Sequence, residues 1–260
     1  MNADGAPADP ALLVPDWPAP SNVRACVTTR DLAGSSLAPF DHFNLGTRCG
    51  DEPQAVAANR DALIVRAALP APPRWLRQVH GIAVHEAQTT PIEAEPEADA
   101  AVTTQPGVVL AVLTADCLPV LFCADDGNAV AVAHAGWRGL AAGVLEATIS
   151  SLRVAPSRLL AWIGPAIGGA SYEVGDEVRS AFVDADADCS DAFVATRPGH
   201  WRCDLEALAR RRLAAAGVVR VHGGGFDTLR DARFYSYRRS RETGRFATLA
   251  WIGPGNPACG

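Results

Sequence analysis

The sequence predicts a mixed α/β domain in which helices pack against a mixed β-sheet. The chain has 260 residues, of which 48% are hydrophobic and 20% charged, so it can bury a substantial core. One turn signal separates two short apolar runs, as in an antiparallel hairpin, whereas other apolar runs alternate with helical periods, as in strand and helix units. The combination favours a mixed sheet over a purely parallel one.

The N-terminal part begins with a proline-rich lead-in, predicted over 1–21, and a single domain is predicted over 22–256. The run VRACVTTR alternates like a strand. A helix is predicted over 51–68, because Pro53 and acidic residues occupy its first turn and apolar residues follow at helical spacing. The segment RWLRQVHGIAVHEA then predicts a strand or hairpin arm with His80 at its bend, before a loop rich in Glu and Pro.

The most apolar part of the chain contains a strong hairpin signal. The turn residues DDGN at 125–128 separate the runs LPVLFCA and AVAVAHA, which predicts a hairpin with Pro119 opposite His134. Because side chains alternate along a strand, Cys117 and His134 are expected on one face as diagonal neighbours, about 7 to 8 Å apart at Cα. At that separation the two side chains can meet on one ion or substrate.

The remaining elements follow from periodicity and turn residues. Helices are predicted over 139–152, 173–185 and 205–216, and strands in RLLAWIG, VVRVHGGG and ATLAWIGP. The aromatic and basic residues near the C-terminus favour a solvated face with a few anchors over the wall of a site. These residues are Tyr235, Tyr237, Arg238, Arg239 and Arg245.

Charge and cysteine usage exclude several classes of protein. A net charge of -6 and a pI of about 5.5 argue against a general binder of nucleic acid or of a membrane surface. No apolar run approaches the roughly 18 residues of a membrane span, and no secretory signal is apparent at the N-terminus. The seven cysteines contain no CxxC pair, so a disulfide framework is not expected. A reducing, cytoplasmic location is therefore predicted.

Cys117 has the surroundings of a reactive thiol. It follows an apolar run, stands beside Asp116 and lies diagonal to His134 in the predicted hairpin. Two interpretations remain open at this point, a nucleophile activated by histidine and a thiolate that binds a metal ion.

The segment that follows His134 suits a ligand with a ring and a phosphate. Gly136 permits close backbone approach, and Trp137 and Arg138 precede a predicted helix start. If His80 reaches Cys117 and His134, the three form a His₂Cys set. Three protein ligands with an open fourth position are typical of catalytic zinc. Such an ion lowers the pKa of its bound water to about 7.

Several longer strings together are recognisable. RQVHG, TADCLPVLF, HAGWRGL, IGPAIG, YEVG, SYRR and TGR resemble the laccase-domain family, also called YfiH-like or polyphenol-oxidase-like purine nucleoside phosphorylases. The resemblance extends from about residue 12 to residue 253. One departure is that Gly225, Phe226, Asp227 and Thr228 stand where many relatives carry a Cys-Thr pair.

The resemblance implies a single mixed α/β (α+β) domain of YfiH-like layered architecture, with a zinc site whose ligands match His80, Cys117 and His134. Copper is the alternative metal. It implies a monomer or weak homodimer that cleaves adenosine, inosine and methylthioadenosine with phosphate and also deaminates adenosine. Purine nucleoside and phosphate are then its partners, with no nucleic acid and no membrane.

Site roles follow from the residues and the resemblance together. His80, Cys117 and His134 are the predicted catalytic and metal-binding residues, and Asp116 is the nearest candidate for proton transfer or for orienting a ligand. Gly136, Trp137 and Arg138 are predicted to bind substrate and phosphate. Relatives have also been linked to copper-dependent phenol oxidation and to editing of peptidoglycan precursors, so a metal-free Cys-His hydrolase and a copper oxidoreductase remain alternatives.

Overall fold

The computed structural model describes residues 9–90 and 94–253. Residues 1–8 of the predicted lead-in, 91–93 of the Glu and Pro loop, and 254–256 at the end of the predicted domain lie outside the described residues. The described part of the lead-in packs on the first strand: Leu12 is buried, and Leu13 pairs with Val27. Among the described residues, no helix combines the length and apolarity that crossing a membrane requires.

Strands and helices alternate irregularly along the chain. The strands are β1 (Val23–Val27), β2 (Val84–Glu86), β3 (Ala100–Thr103), β4 (Val109–Thr114), β5 (Leu118–Ala124), β6 (Val130–Ala135), β7 (Leu159–Ile163), β8 (Glu173–Gly175), β9 (Phe193–Arg197), β10 (His200–Cys203), β11 (Arg220–Gly223) and β12 (Phe246–Ile252). The α-helices are α1 (Pro53–Arg66), α2 (Trp137–Ala142), α3 (Val144–Leu152), α4 (Asp176–Val183) and α5 (Leu205–Ala215).

Two sheets face each other across one apolar layer. A six-stranded sheet has the order β11-β7-β5-β6-β3-β2, and a three-stranded sheet has the order β1-β12-β4. Their shared core includes Trp162 and Val132 from the first sheet and Leu110 and Phe246 from the second. Parallel pairs (β11 with β7, β2 with β3) stand beside antiparallel ones, which confirms the predicted mixed sheet.

Helices cover the outer faces of both sheets. Apolar side chains of α3, α4 and α5 pack with the outer face of the six-stranded sheet, and Leu63 of α1 packs with Val109 and Leu249 of the three-stranded sheet. The molecule is therefore layered as helix, sheet, sheet, helix. This is the single mixed α/β architecture expected from the sequence.

The central hairpin has the predicted register. Pro119 of β5 lies opposite His134 of β6. The turn between them is stabilised by Gly127, at φ 73, and by the Asn128 N–H, which donates to the Asp126 carboxylate over 3.1 Å.

The single helix predicted over 139–152 is wrong, because the structure has two helices there. α2 begins at Trp137, earlier than expected, and ends at Ala142, and α3 begins at Val144. Gly143 between them has φ 104, in the left-handed region, which interrupts the helical hydrogen bonding. The buried apolar positions stay in phase across the break, so periodicity alone did not reveal it.

The prediction over 173–185 is only partly correct. Glu173–Gly175 is the short strand β8, and the helix is confined to Asp176–Val183. β8 pairs with β10, which pairs with β9, and these three strands form a small sheet that the sequence analysis missed. β9 exposes all but its first residue, so it carries no apolar alternation to detect.

The segment around His80 is mostly irregular backbone and not a continuous strand. Only Val84–Glu86 is a strand, while Arg74 and Arg77 make isolated bridges. The predicted bend at His80 is present, with φ 61. After Thr114, residues 115–117 carry the chain from the three-stranded to the six-stranded sheet.

Candidate metal centre and active site

A cavity of about 470 Å³ opens where the chain passes from one sheet to the other. This volume lies within the usual range of small-molecule sites. Six of the predicted site residues line the cavity: His80, Asp116, Cys117, His134, Trp137 and Arg138.

Three donor side chains meet on the cavity wall. One ligand atom each from His80, Cys117 and His134 lie within 4.8 Å of one another. The Cys117 Sγ is 3.7 Å from the His80 Nε2, and the two imidazole rings meet edge to face at 4.7 Å between centroids. His134 is buried, Cys117 is half-buried and His80 is exposed, so the cluster faces the solvent-accessible cavity from one side.

His134 is oriented by a residue that the sequence analysis missed. The fully buried carboxylate of Asp99 accepts a hydrogen bond from His134 Nδ1 over 2.8 Å. Because Nδ1 is hydrogen-bonded to Asp99, Nε2 is the ring nitrogen of His134 that can bind a metal ion in the cluster. Metal-binding histidines are commonly oriented by a carboxylate in this way. In the sequence Asp99 is the last of several acidic residues in the Glu and Pro loop and stands directly before an apolar strand, so nothing distinguishes it from its acidic neighbours.

The same carboxylate also fixes the turn that carries His80. Asp99 accepts backbone N–H groups from Val79 (3.1 Å), His80 (2.9 Å) and Gly81 (2.7 Å). Three N–H groups directed at one carboxylate explain how His80 keeps a left-handed backbone, which is costly for a residue with a side chain. Hydrogen bonds from His134 and from these backbone groups outweigh burial and lower the pKa of Asp99.

Cys117 and His134 shift each other's pKa in opposite directions. Burial raises the pKa of the Cys117 thiol, but the charge on His134 and hydrogen bonds from His134 and His80 outweigh it and lower the pKa to about 6. Burial lowers the pKa of His134, but the Cys117 charge and the Asp99 hydrogen bond raise it to about 9. Without a metal ion, the pair therefore favours a thiolate beside an imidazolium at neutral pH.

Asp116 is engaged by two neighbouring loops. Its Oδ1 accepts from the Thr228 hydroxyl over 2.6 Å, and its Oδ2 accepts from the Arg238 backbone N–H over 2.6 Å. Its φ of 91 places it in the left-handed region, and its carbonyl oxygen accepts from the Ile167 N–H. Both carboxylate oxygens are thus committed to holding the loops around Cys117.

Gly136 is required by close packing beneath the centre. A Cβ atom at this position would lie 2.8 Å from His80 Cδ2 and 3.0 Å from Cys117 Sγ. Its φ of -59 suits any residue, so contact and not backbone conformation explains the glycine. The predicted close approach is therefore to two of the donor side chains.

Arginine side chains on the cavity wall rest on aromatic rings. The Arg138 guanidinium lies 4.4 Å from the Trp137 ring centroid, and that of Arg238 lies 5.1 Å from the Tyr172 ring. Arg238 is also anchored, since its Nη1 donates to the Glu173 carbonyl over 2.8 Å. Both guanidinium groups are thus positioned before any ligand arrives.

The predicted solvated face near the C-terminus is partly wrong. Tyr237, Arg238 and Arg245 line the cavity, and Tyr235 is fully buried with its hydroxyl donating to the Phe40 carbonyl over 2.8 Å. The backbone hydrogen bond to Asp116 draws this segment against the centre, which composition alone could not indicate. Arg239 fits the prediction better, since it is exposed and lies outside the cavity.

The other histidines lie outside the cavity, and the other cysteines are unpaired within the described part of the chain. His42, His85, His200 and His222 do not line the cavity. Among the described residues all cysteines are free, and Cys26, Cys123, Cys189 and Cys203 are buried.

The layered α/β fold, the His₂Cys cluster and the open cavity beside it describe a protein with a small-molecule site. The chain belongs to the family described as multi-copper polyphenol oxidoreductase laccase, whose model matches residues 24–253.

Two named relatives align with nearly the whole chain. A protein of Pseudomonas aeruginosa named purine nucleoside phosphorylase PA4543 is 57% identical over 248 residues, which span 93% of this chain and 98% of that protein. A protein of Escherichia coli named purine nucleoside phosphorylase YfiH is 49% identical over 242 residues, which span 93% and 98%. The names of these relatives support the prediction that this chain is an enzyme.

Solved structures share the same fold. Neisseria meningitidis protein NMB0706 superposes with a TM-score of 0.90 at 44% identity, covering 94% of this chain and 100% of that one. YlmD from Geobacillus stearothermophilus gives a TM-score of 0.80 at 32% identity, covering 90% and 93%.

Proposed function

We propose that this protein is a zinc-dependent purine nucleoside phosphorylase that acts on adenosine, inosine and methylthioadenosine and also deaminates adenosine. The observation that carries the proposal is the meeting of donor atoms from His80, Cys117 and His134 within 4.8 Å, on the wall of a cavity of nucleoside size. The names of the relatives supply the substrate class. A monomer or weak homodimer in the cytoplasm, without nucleic acid or membrane partners, remains a prediction.

The donor set fits zinc. Two imidazoles and one thiolate, one imidazole being oriented by a buried carboxylate, are ligands that zinc favours, and three protein ligands leave a fourth position for water or substrate. When bound, zinc supplies a Lewis acid that polarises an oxygen or lowers the pKa of water to about 7. Copper is the alternative, but a multicopper centre needs more histidine ligands than the two of this cluster.

Arginine side chains are the proposed phosphate ligands. Arg138, predicted from the sequence, and Arg238 present guanidinium groups to the cavity, and a guanidinium forms two parallel hydrogen bonds with a phosphate. Trp137 holds Arg138 in place with one face of its ring, so we assign Trp137 to positioning as well as to contact with the purine.

In phosphorolysis a phosphate oxygen bonds to C1′ of the ribose while the bond from C1′ to the purine nitrogen breaks. The electron pair leaves with the purine, which takes up a proton on a ring nitrogen from hydrogen phosphate or water, and the products are ribose 1-phosphate and the free base. Arg138 and Arg238 offset the charge of the phosphate as it approaches. In deamination, water adds at C6 of adenosine and ammonia leaves.

Asp116 is better suited to positioning than to carrying a proton. Both of its carboxylate oxygens accept hydrogen bonds, from the Thr228 hydroxyl and from the Arg238 backbone. We propose that Asp116 holds Arg238 at the cavity wall beside Cys117.

Metal analysis and product chromatography test the proposal. Purified protein is expected to hold about one zinc per chain and, with adenosine and phosphate, to form adenine, inosine and hypoxanthine. Without phosphate, only inosine is expected. Cys117→Ala and His80→Ala should lose both zinc and turnover, whereas His222→Ala, outside the cavity, should keep both. A zinc-loaded preparation that does not convert adenosine, with or without phosphate, would reject the proposed enzymatic function.

A metal-free cysteine hydrolase is the second candidate. The observation that favours it is a chain of contacts from Cys117 to His134 to Asp99. This is the arrangement of a nucleophile, a base and an acid that orients the base. The pKa of the Cys117 thiol is also lowered to about 6. An amide of a peptidoglycan precursor would be a substrate of this class. Loss of zinc in Cys117→Ala, together with loss of zinc-dependent turnover, would reject it.

A further inference from the structure

A single buried carboxylate contacts both histidines of the proposed metal centre. Asp99 lies immediately before β3 and has no exposed surface. Its Oδ1 accepts from the His80 backbone N–H and from His134 Nδ1, and its Oδ2 accepts from the N–H groups of Val79 and Gly81. Both oxygens of the carboxylate are therefore fully used.

The main chain of Asp99 reinforces these contacts. Its carbonyl oxygen accepts from the His134 N–H over 2.7 Å, and its N–H donates to the carbonyl of Ala83 over 3.0 Å. Asp99 is thus tied by main chain and side chain to the two segments that carry the imidazoles. These segments are far apart in sequence, and the Asp99 carboxylate bonds to both of them.

The two imidazoles depend on this carboxylate in different ways. The His134 ring is held directly, because a carboxylate accepts only from a protonated Nδ1 and so leaves Nε2 facing the cluster. The His80 ring is exposed and contacts Cys117 and the His134 ring, and the backbone from which it projects is fixed by the turn beneath it. That turn has a left-handed residue and is fixed by three N–H groups donating to Asp99.

We propose that Asp99 is the positioning residue that sets both imidazoles in their ligating arrangement before a metal ion binds. The inference rests on the proposed metal centre and extends it, since it assigns the geometry of two ligands to one side chain. As a positioning residue, Asp99 contacts neither the metal ion nor the substrate.

An amide cannot replace the carboxylate. Asparagine has one acceptor oxygen and one NH₂ donor, and every partner of the Asp99 side chain is a donor. In Asp99→Asn, either the His134 and His80 pair or the Val79 and Gly81 pair must face the NH₂ group. Either the His134 ring or the turn that carries His80 therefore loses hydrogen bonds to this side chain, while size and shape are kept.

The matched control is Asp227→Asn. The Asp227 carboxylate also accepts several hydrogen bonds, from the N–H groups of Gly168 and Leu229 and from the Ser171 hydroxyl, but it contacts none of the three donors. A general effect of losing a bonded carboxylate would appear in both variants, whereas an effect on the metal centre would appear only in Asp99→Asn.

Cobalt(II) substitution and chelator competition give the readout. We expect Asp99→Asn to bind zinc about 10- to 100-fold more weakly than wild type and to alter the visible spectrum of the cobalt form, while Asp227→Asn matches wild type in both. Unchanged zinc affinity and an unchanged cobalt spectrum in folded Asp99→Asn would overturn the inference. A wild-type protein that takes up neither ion would instead reject the metal centre on which it rests.

Nitrogen NMR of histidine-labelled wild type covers the case in which Asp99→Asn does not fold. If the arrangement is preset, Nδ1 of His134 is protonated in the metal-free protein and stays so after zinc is added. An unprotonated Nδ1 in the folded metal-free protein would overturn the inference.

Discussion

The bend in which Cys117 lies determines the surroundings of its thiol and therefore its reactivity. The bend directs its thiol toward two imidazoles, one of them backed by a buried carboxylate. Three of the four buried thiols of the described residues, those of Cys26, Cys123 and Cys203, have the opposite surroundings, and burial raises the pKa of each to about 12. Reactivity is therefore expected at Cys117 and not at these three cysteines.

The pH dependence of Cys117 alkylation tests this expectation in protein stripped of metal. Because the pKa is lowered to about 6, the thiolate is present above that pH, and the rate should rise through pH 6 and then level off. An ordinary thiol would show its midpoint near about 8.5. Iodoacetamide labelling followed by peptide mass spectrometry measures the rate at this one cysteine.

His134→Ala is the informative variant for that experiment. It removes the main charge that lowers the Cys117 pKa, so the midpoint should move upward. Cys123 serves as an internal control and should stay unlabelled throughout. A wild-type midpoint above pH 8 would contradict the proposed pairing of Cys117 with His134.

The sequence predicted that Cys117 and His134 lie together, but it did not predict the hydrogen bonds that hold the His80 turn. The DDGN turn sets the hairpin register, and with side-chain alternation this predicts that Cys117 and His134 lie together. His80 arrives through irregular backbone whose path depends on hydrogen bonds to Asp99. Hydrogen bonds between segments distant in sequence leave no local periodicity, so His80 was assigned to the site more from the resemblance than from geometry.

The break between α2 and α3 interrupts the helix shortly after two residues that line the cavity. α2 carries Trp137 and Arg138, while α3 buries its apolar face against the six-stranded sheet. Periodicity correctly predicted which face of α3 is buried, but the same signal hid the break. A left-handed glycine between two in-phase segments can be detected only from backbone conformation.

Substitution of Gly143 tests the conformational requirement at that break. A Cβ at Gly143 would have space, since its nearest neighbour, Glu146 Oε2, is 3.6 Å away. The φ of 104 is unfavourable for alanine, so Gly143→Ala should lower the free energy of unfolding by about 1 to 2 kcal/mol. Urea denaturation measures the loss, and zinc content should not change.

Gly143→Asn separates conformation from packing. Asparagine tolerates the left-handed region better than alanine does, so it should cost less despite its larger side chain. Equal stability of wild type and Gly143→Ala would show that the break relaxes into continuous helix.

In the molecule as a whole, the site lies at one of the short crossings that join the two facing sheets. β4 belongs to the three-stranded sheet and β5 to the six-stranded sheet, and Cys117 ends the crossing between them. In the described residues the helices α1, α3, α4 and α5 pack on the outer faces, so the apolar layer between the sheets fixes the relative position of the sheets. The geometry of the centre therefore depends on a core that is shared by both sheets.

This shared core predicts that the described part of the domain unfolds as one unit. Phe246 is fully buried in the layer between the sheets and lies 5.1 Å from Phe234 between ring centroids. Phe246→Ala should cost about 3 to 5 kcal/mol of the free energy of unfolding, whereas Val65→Ala, at a position 81% exposed, should cost under about 0.5 kcal/mol. Urea transitions followed by tryptophan fluorescence and by far-ultraviolet circular dichroism should coincide in wild type and in both variants. Two separated transitions in wild type would mean that the sheets unfold independently, and the single domain predicted over 22–256 would have to be divided.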